Sequence, residues 1–356
     1  MIKILHSADW HLDSPLQGRT TEQASALRRE LLAIPGKIAA LCLQEGCDLC
    51  LLSGDLFDGN YTGESYRAVY AALESMGVPV FITPGNHDYV NLNSPWKKEV
   101  WPENVHIFTR PQIESAAIPG LSCRIYGAGF TGMDCPSLLE GFRADCEETY
   151  TIGIFHGDPV QKNAPYNPIT SQQVANSGLS YLALGHVHKE GSFCAGNTLC
   201  AWPGCPMGRG YDEQGSKGVY IVTLEDGAQC RFVPLDTPRF YDLETSGEAA
   251  MQSVAALLPP VGSEDFYRIT LTGSCEAPDL QALQKAFSRF PNLVLRDHTR
   301  RPVDLWGNAG ADTFEGLYFA LLKSCAESDN EAEKNTALLA ARISRQLLSG
   351  EEVVLP

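Results

Sequence analysis

Asp9 and His11 stand two residues apart directly after an apolar run at positions 2–5, where a first β-strand should end. Four later stretches repeat that arrangement: "SGDLFDG" carries Asp55 and Asp58, "PGNHDY" carries Asn86, His87 and Asp88, "FHGD" carries His156, and "GHVH" carries His186 and His188. In each, a β-like apolar run gives way to groups that ligate metals or move protons. Five of the eight histidines fall in these stretches. Residues two apart in extended chain point the same way, so Asp9 with His11, and His186 with His188, can converge on an ion. Carboxylates, imidazoles and one amide oxygen suit Mn²⁺, Fe²⁺ or Zn²⁺ better than Ca²⁺. Asp9, His11, Asp55, Asn86, His156, His186 and His188 are too many ligands for one ion and about right for two that share a bridging carboxylate. Two ions roughly 3.5–4 Å apart lower the pKa of a shared water and hold the attacking and leaving oxygens of an in-line phosphoryl displacement.

Such groups need elements to place them. The strand "IKILHSA" is followed by helical spacing over 22–44, where Ala26, Leu27, Leu31, Ile34, Ile38 and Leu41 recur and Pro35 is expected to kink or split the helix. Then come "CDLCLLSGD", a helix over 66–76, and "VPVFITPGNHD". This order favours a parallel sheet with polar residues at the strand ends, where open α/β sheets bind ligands. After Val105 the runs "VHIF", "CRIYGAG", "YTIGIFHG", "YLALGHVH", "TLCAWPG", "KGVYIVTLE" and "CRFVPLD" predict a second sheet packed on the first. Pro234 and Pro238 mark a boundary. Beyond it "FYRITLTG" and "NLVLRDH" flank a helix over 279–290, and Leu339, Ile343 and Leu347 stripe a helix over 336–348.

At 356 residues the chain is long enough for one large domain and a smaller one. With 44% hydrophobic residues and no run of membrane-spanning length or leader-like N-terminus, the expectation is a cytoplasmic protein with no membrane contact. Twelve cysteines without paired spacing fit buried thiols in a reducing compartment, and Cys47 and Cys50 read as core thiols. A net charge of −16 argues against a sequence-independent polyanion binder, although bound cations invert the sign of a carboxylate-rich pocket.

The ordered set Asp9-x-His11, Gly54-Asp55, Gly85-Asn86-His87-Asp88, His156-Gly157 and Gly185-His186-x-His188 resembles the calcineurin-like metallophosphoesterase superfamily. More narrowly, "ILHSADWHL", "SGDLFD" and "PGNHD" resemble the nuclease subunit of the bacterial SbcCD complex and its relatives, with "DSPL" after His11 departing towards a side branch. The resemblance implies an α/β fold of two sandwiched β-sheets flanked by helices, with a small α+β capping domain and C-terminal helices. It places a catalytic domain at 1–236, the capping domain at 237–305 and a helical, partner-docking segment at 306–356. It further implies one ion on Asp9, His11, Asp55 and His188, and a second on Asp55, Asn86, His156 and His186. The ions would be Mn²⁺, with Fe²⁺ or Zn²⁺ as alternatives. His87 matches the family's histidine that ligates no metal and serves the leaving oxygen, and Asp88 is expected to hold its imidazole in the right tautomer.

The function expected is hydrolysis of DNA phosphodiester bonds beside an SbcC-like ATPase, with a dimer formed through the catalytic domain. Two rivals are a nucleotide or phosphoprotein phosphatase and a metal-binding scaffold subunit. Against the phosphoprotein version, "GDLFDG" lacks an Asp-Arg-Gly ending and "GNHD" carries Asp where Glu is usual. Several residues keep two readings. Arg209, in the Gly-rich stretch 203–218, contacts a phosphate or lies in a surface loop. Asp58 supports the site or caps a helix, and Asp13 caps a turn or touches the site. Arg289, Arg296, Arg300 and Arg301 line a nucleic-acid path or are merely solvated. The stripe at 339–347 docks on a partner or on its own domain. His6 reads as a satisfied core or supporting histidine, and His106 and His298 as structural or exposed.

Overall fold

The computed structural model describes all residues except 17–18, 119, 146–147, 162, 303, 351–352 and 354–356. Cys146 and the last residues of the expected 306–356 segment therefore lie outside the described residues.

The chain opens with β1 (Ile2–Ser7), α1 (Thr21–Glu45), β2 (Leu49–Leu52), α2 (Gly63–Met76), β3 (Val80–Ile82), α3 (Pro95–Lys98) and β4 (Val105–Ile107). It continues through β5 (Glu114–Ile118), β6 (Cys123–Gly127), β7 (Tyr150–His156), α4 (Ser171–Asn176), β8 (Tyr181–Gly185), β9 (Gly191–Ala195) and β10 (Thr198–Trp202). Then come β11 (Gly218–Leu224), β12 (Ala228–Pro234) and β13 (Phe240–Ser246). Last are α5 (Ala250–Leu257), β14 (Phe266–Thr272), α6 (Leu280–Ala286), β15 (Leu293–Asp297), α7 (Phe314–Ala326) and α8 (Glu331–Ser349).

Two mixed sheets carry the site. One runs β12-β11-β1-β2-β3-β4 and the other β5-β6-β7-β8-β10-β9. Side-chain alternation explains the layering. Ile2, Ile4, Leu49 and Leu51 pack with Ile125, Ile152, Ile154, Tyr181 and Ala183 of the second sheet. Leu5, Cys50 and Leu52, one position out of phase, pack with Leu27, Leu31, Ile34 and Ile38 of α1 and Val69 and Leu73 of α2. The far face of the second sheet buries Phe155, Leu182 and Leu184 with Val174 of α4. This is a mixed α/β fold of two sheets flanked by helices.

Three expectations change. β4, β11 and β12 belong to the first sheet, not the second: β4 extends the parallel row with Val80 opposite Val105, and β11 lies antiparallel to β1 with Ile4 opposite Val222. An apolar run states that a strand is buried but not which neighbour it takes. α1 is one helix through Pro35, anchored on both sides of it by buried Leu31, Ile34, Ile38 and Cys42. It starts at a Thr20–Gln23 capping box and stops at left-handed Gly46. Finally, β5, β9 and β13 had no apolar run to announce them, and their burial alternates with exposure.

The described chain divides into two compact units: Met1–Asp242 with Ser263–Arg268 and Phe290–Val294, and Leu243–Gly262 with Ile269–Arg289 and Leu295–Pro356. In the second unit α7 and α8 pack as a pair. The Arg345 guanidinium lies 3.8 Å from the Phe319 ring centroid and Nη1 donates to Glu315 Oε1 over 2.6 Å, while Ala337 and Ala341 are buried. Among the described residues, no helix is long and apolar enough to cross a membrane.

Candidate metal centre

The ends of β1, β2, β7 and β8 and the loop after β3 meet at one edge of the sandwich, and the seven expected ligands meet there with them. The backbone is bent to bring this about. Asp9, His11, Asp55 and His186 all sit at positive φ (56°, 47°, 54° and 100°), a conformation costly for residues with a Cβ and concentrated at functional sites. Backbone bonds from Asp9 N to Gly54 O (3.0 Å) and His11 N to Asp55 O (2.9 Å) lock the first two strand ends together. At two glycines a side chain would force its neighbours to move: a Cβ on Gly54 would enter the His156 ring, and one on Gly85 would collide with the Asp55 carboxylate.

The donors converge. His11 Nε2 is 3.1 Å from His188 Nε2 and 3.7 Å from Asp55 Oδ2. His156 Nε2 lies 2.9 Å from Asn86 Oδ1 and 3.3 Å from Asp55 Oδ2, and His186 Nδ1 lies 3.3 Å from the same Asn86 oxygen. Asp9, His11 and His188 present atoms within 4.8 Å of one another, as do Asp9, Asp55 and His156.

The donor set fits a divalent cation on three counts. First, two imidazole nitrogens, those of His11 and His188, face each other at 3.1 Å, so at most one of them can carry a proton. Second, buried His11 Nδ1 has no hydrogen-bond partner. Third, His156 donates from Nδ1 to Ser53 O over 2.9 Å, which turns Nε2 onto two oxygens, Asn86 Oδ1 and Asp55 Oδ2. Burial opposes a charge on His156, yet Asp55 and Asp9 push its pKa up to about 9, so this position calls for a positive charge. Burial works against ionised Asp55 as well, but His156 and His11 hold it well below the usual carboxylate range. Burial and His156 bring His186 down to about 4, leaving a neutral imidazole.

His87 stands at the rim with its side chain 44% exposed, and Nδ1–H donates to Asp58 Oδ1 over 2.8 Å. The expectation that Asp88 orients this imidazole is corrected. Asp88 is buried on the inner side of the loop, accepting from Gly85 N (2.7 Å), Leu56 N (2.8 Å) and Phe57 N (3.3 Å). Burial and the Asp55 charge raise its pKa to about 7. Asp88 faces away from its neighbour His87, claimed by one N–H of its own loop and by two from the segment after β2.

Arg209 does reach the site. Its Nη1 lies 3.4 Å from Ser14 Oγ and 3.7 Å from Asp58 Oδ2, while Nη2 donates to Glu213 Oε1 over 2.9 Å. Glu213, which the motifs left unmarked, also accepts from His188 Nδ1 at 2.6 Å. The signal available was its place four residues after Arg209 in the Gly-rich stretch. Asp13 belongs elsewhere, accepting from Thr62 N (2.9 Å) at the start of α2. His6 is fully buried between Tyr181 Oη (2.7 Å) and Ser53 Oγ (2.6 Å). His106 packs against Phe108, and His298 is exposed.

Residues 2–190 match the calcineurin-like phosphoesterase family. The chain belongs to that family. Such a match together with this donor set makes it a metal-dependent phosphoesterase. Among relatives of this phosphoesterase, the uncharacterized metallophosphoesterase YhaO of Bacillus subtilis is 32% identical over 247 residues, or 64% of this chain and 58% of YhaO. The match thus spans little more than half of YhaO. The nuclease SbcD, of the SbcCD complex of Rhodobacter capsulatus, is 25% identical over 335 residues, covering 74% of this chain and 77% of that one. Its counterpart from Staphylococcus epidermidis is 29% identical over 335 residues, covering 82% and 84%.

Proposed function

We propose that this phosphoesterase is a two-metal DNA phosphodiesterase that works beside an SbcC-like ATPase in the cytoplasm, with Mn²⁺ as its metal. The observation that carries the hydrolytic reading is the His87–Asp58 pair standing at the rim of the converged donor set. The DNA assignment draws its support from the two SbcCD nuclease relatives.

In this reading Asp9, His11, Asp55 and His188 hold one ion, Asp55, Asn86, His156 and His186 hold the other, and Asp55 bridges. Two such ions, when bound, supply a water of lowered pKa and Lewis-acid polarisation of the phosphoryl oxygens. The protein's own groups do the rest. His87, kept protonated by Asp58, donates from Nε2 to the departing oxygen. The His87 backbone N–H donates to Asp55 Oδ1 over 2.9 Å, which ties the acid to the bridging carboxylate. Arg209, steadied by Glu213, offers its guanidinium to a non-bridging phosphate oxygen.

Residues 1–236, 237–305 and 306–356 serve in this proposal as catalytic, capping and partner-docking segments, with a homodimer formed through the first. Phe314 (89% exposed), Leu317 and Leu321 make a bare apolar stripe along α7, and Leu347 and Leu348 are exposed on α8. A coiled-coil partner would cover such a face.

One observation favours a small phosphoester instead. A cavity of about 830 Å³ beside His186 and His188 is lined by four carboxylates, Asp158, Glu190, Asp212 and Glu213, against two lysines, Lys189 and Lys217, a balance that disfavours a long polyanion. The deciding experiment is Mn²⁺-dependent cleavage of linear double-stranded and single-stranded DNA alongside bis-p-nitrophenyl phosphate, with Asp55→Asn as control. Cleavage of all substrates with a dead control supports the nuclease. Cleavage of the small diester alone, even with the ATPase added, replaces DNA by a small phosphoester.

A further inference from the structure

The four imidazoles of the centre are not held equally. The side chains of His11 and His156 are fully buried and that of His186 is 17% exposed, so packing restrains them. His188 is 30% exposed and packs edge-on against the His11 ring at 4.9 Å, the least packing restraint of the four. Its hydrogen bonds take over that task. Nδ1 meets Glu213 Oε1 at 2.6 Å, and Glu213, with its side chain only 10% exposed, is shielded from competing water. A carboxylate accepts only, so the 2.6 Å contact puts the proton on Nδ1 and leaves Nε2 to face the centre, while Arg209 Nη2, 3.2 Å from the same Nδ1, gives its hydrogen to Glu213. The backbone of His188 is pinned too, its carbonyl accepting from Lys217 Nζ over 3.1 Å and Cys205 N over 3.3 Å.

Glu213 is itself gripped from both sides. Arg209 N donates to Oε2 over 2.7 Å and Arg209 Nη2 to Oε1 over 2.9 Å. Neither of these bonds touches the half of the centre formed by Asn86, His156 and His186. His156 takes its orientation from Ser53 O instead, and His186 has Asp158 Oδ2 at 3.8 Å from its Nε2.

We propose that Glu213 is a positioning residue for one of the two ion positions, fixing the tautomer and rotation of His188 and thereby setting the affinity of the position that His188 shares with Asp9, His11 and Asp55. The inference rests on the two-ion reading above. It assigns the two positions separate supports: a side-chain carboxylate for one and a backbone carbonyl for the other.

The test is Mn²⁺ titration of the full chain by calorimetry and electron paramagnetic resonance, with apo melting temperature as the folding control. Wild type should bind two Mn²⁺ and give the spectrum of a coupled pair. Glu213→Ala should keep one Mn²⁺ at wild-type affinity and bind the other roughly 10–100-fold more weakly, the usual cost of removing a histidine's outer partner. Glu213→Gln, whose amide oxygen still accepts from Nδ1, should fall between. The Mn²⁺ concentration needed for half-maximal turnover should rise in the same order, with substrate KM unchanged at saturating metal. If Glu213→Ala lowers the apo melting temperature, Glu213→Gln carries the comparison alone. Two Mn²⁺ at wild-type affinity in every properly folded variant, or equal loss at both positions, overturns the positioning role and leaves the two-ion reading standing. A wild type that binds fewer than two overturns both.

Discussion

His87 Nδ1 donates to Asp58 Oδ1 over 2.8 Å, while Asp88, next in sequence to His87, spends its carboxylate on the backbone N–H groups of Gly85, Leu56 and Phe57. The carboxylate that partners this imidazole therefore lies 29 residues away in the chain.

His87→Ala should keep both metals and lose about 10²–10⁴-fold in turnover, the range for a missing general acid. The Asp58 hydrogen bond, against some burial and with help from Asp55, raises the pKa of His87. An acid works while protonated, so a raised pKa extends activity to higher pH. Asp58→Asn should accordingly shift the alkaline limb of the kcat profile to lower pH. An unmoved limb would remove Asp58 from this role.

Chelation should abolish hydrolysis, and Mn²⁺ should restore it. Added Mn²⁺ at about 100 times its Kd should stabilise the fold by roughly 2.7 kcal/mol per site, read as a rise in melting temperature. Asp55→Asn should lose most of that rise together with turnover. A full rise in this variant would contradict a bridging carboxylate.

Gly85→Ala tests the close approach in the loop after β3. The added methyl meets the Asp55 carboxylate and its backbone nitrogen, so the loop or Asp55 must move. Overpacking of this kind costs about 1–3 kcal/mol. We expect an unaltered circular dichroism spectrum, a lower melting temperature and weakened Mn²⁺ binding. Wild-type metal affinity would show that the loop yields freely.

His6 predicts an acid weakness of the apo protein. Burial lowers its pKa from 6.5 to about 3. Below 6.5 the unfolded chain takes up a proton that the folded chain refuses, so stability falls as pH drops from 6.5 towards 3. Between pH 7 and pH 5 this group should cost about 2 kcal/mol. Urea denaturation of wild type and His6→Asn at the two pH values isolates it, because the other histidines are common to both. Equal losses would refute the assignment.

The seven converging side chains were legible because each follows an apolar run that can only be a buried strand. Strand ends gather at one edge of a parallel sheet, so order in the sequence became proximity in space. The sheet to which β4, β11 and β12 belong was not legible, since an apolar run such as that around Val222 would be buried in either. Nor was the choice between Asp58 and Asp88, which depends on loop dihedrals that send the adjacent side chains of His87 and Asp88 in opposite directions. Glu213 escaped because its partner His188 is 25 residues away and belongs to a different segment of irregular chain.

β1 lies between β2 and β11, so Ile2–Ser7 waits for Gly218–Leu224 before both its edges are paired. On the ribosome, a nascent chain that has not yet delivered those residues leaves β1 with an open edge, an invitation to intermolecular pairing. His186 and His188 also arrive late. Hydrolytic competence is therefore gained in one step near the end of synthesis of this sandwich, and shorter translation products carry the aggregation hazard of the fold without its chemistry.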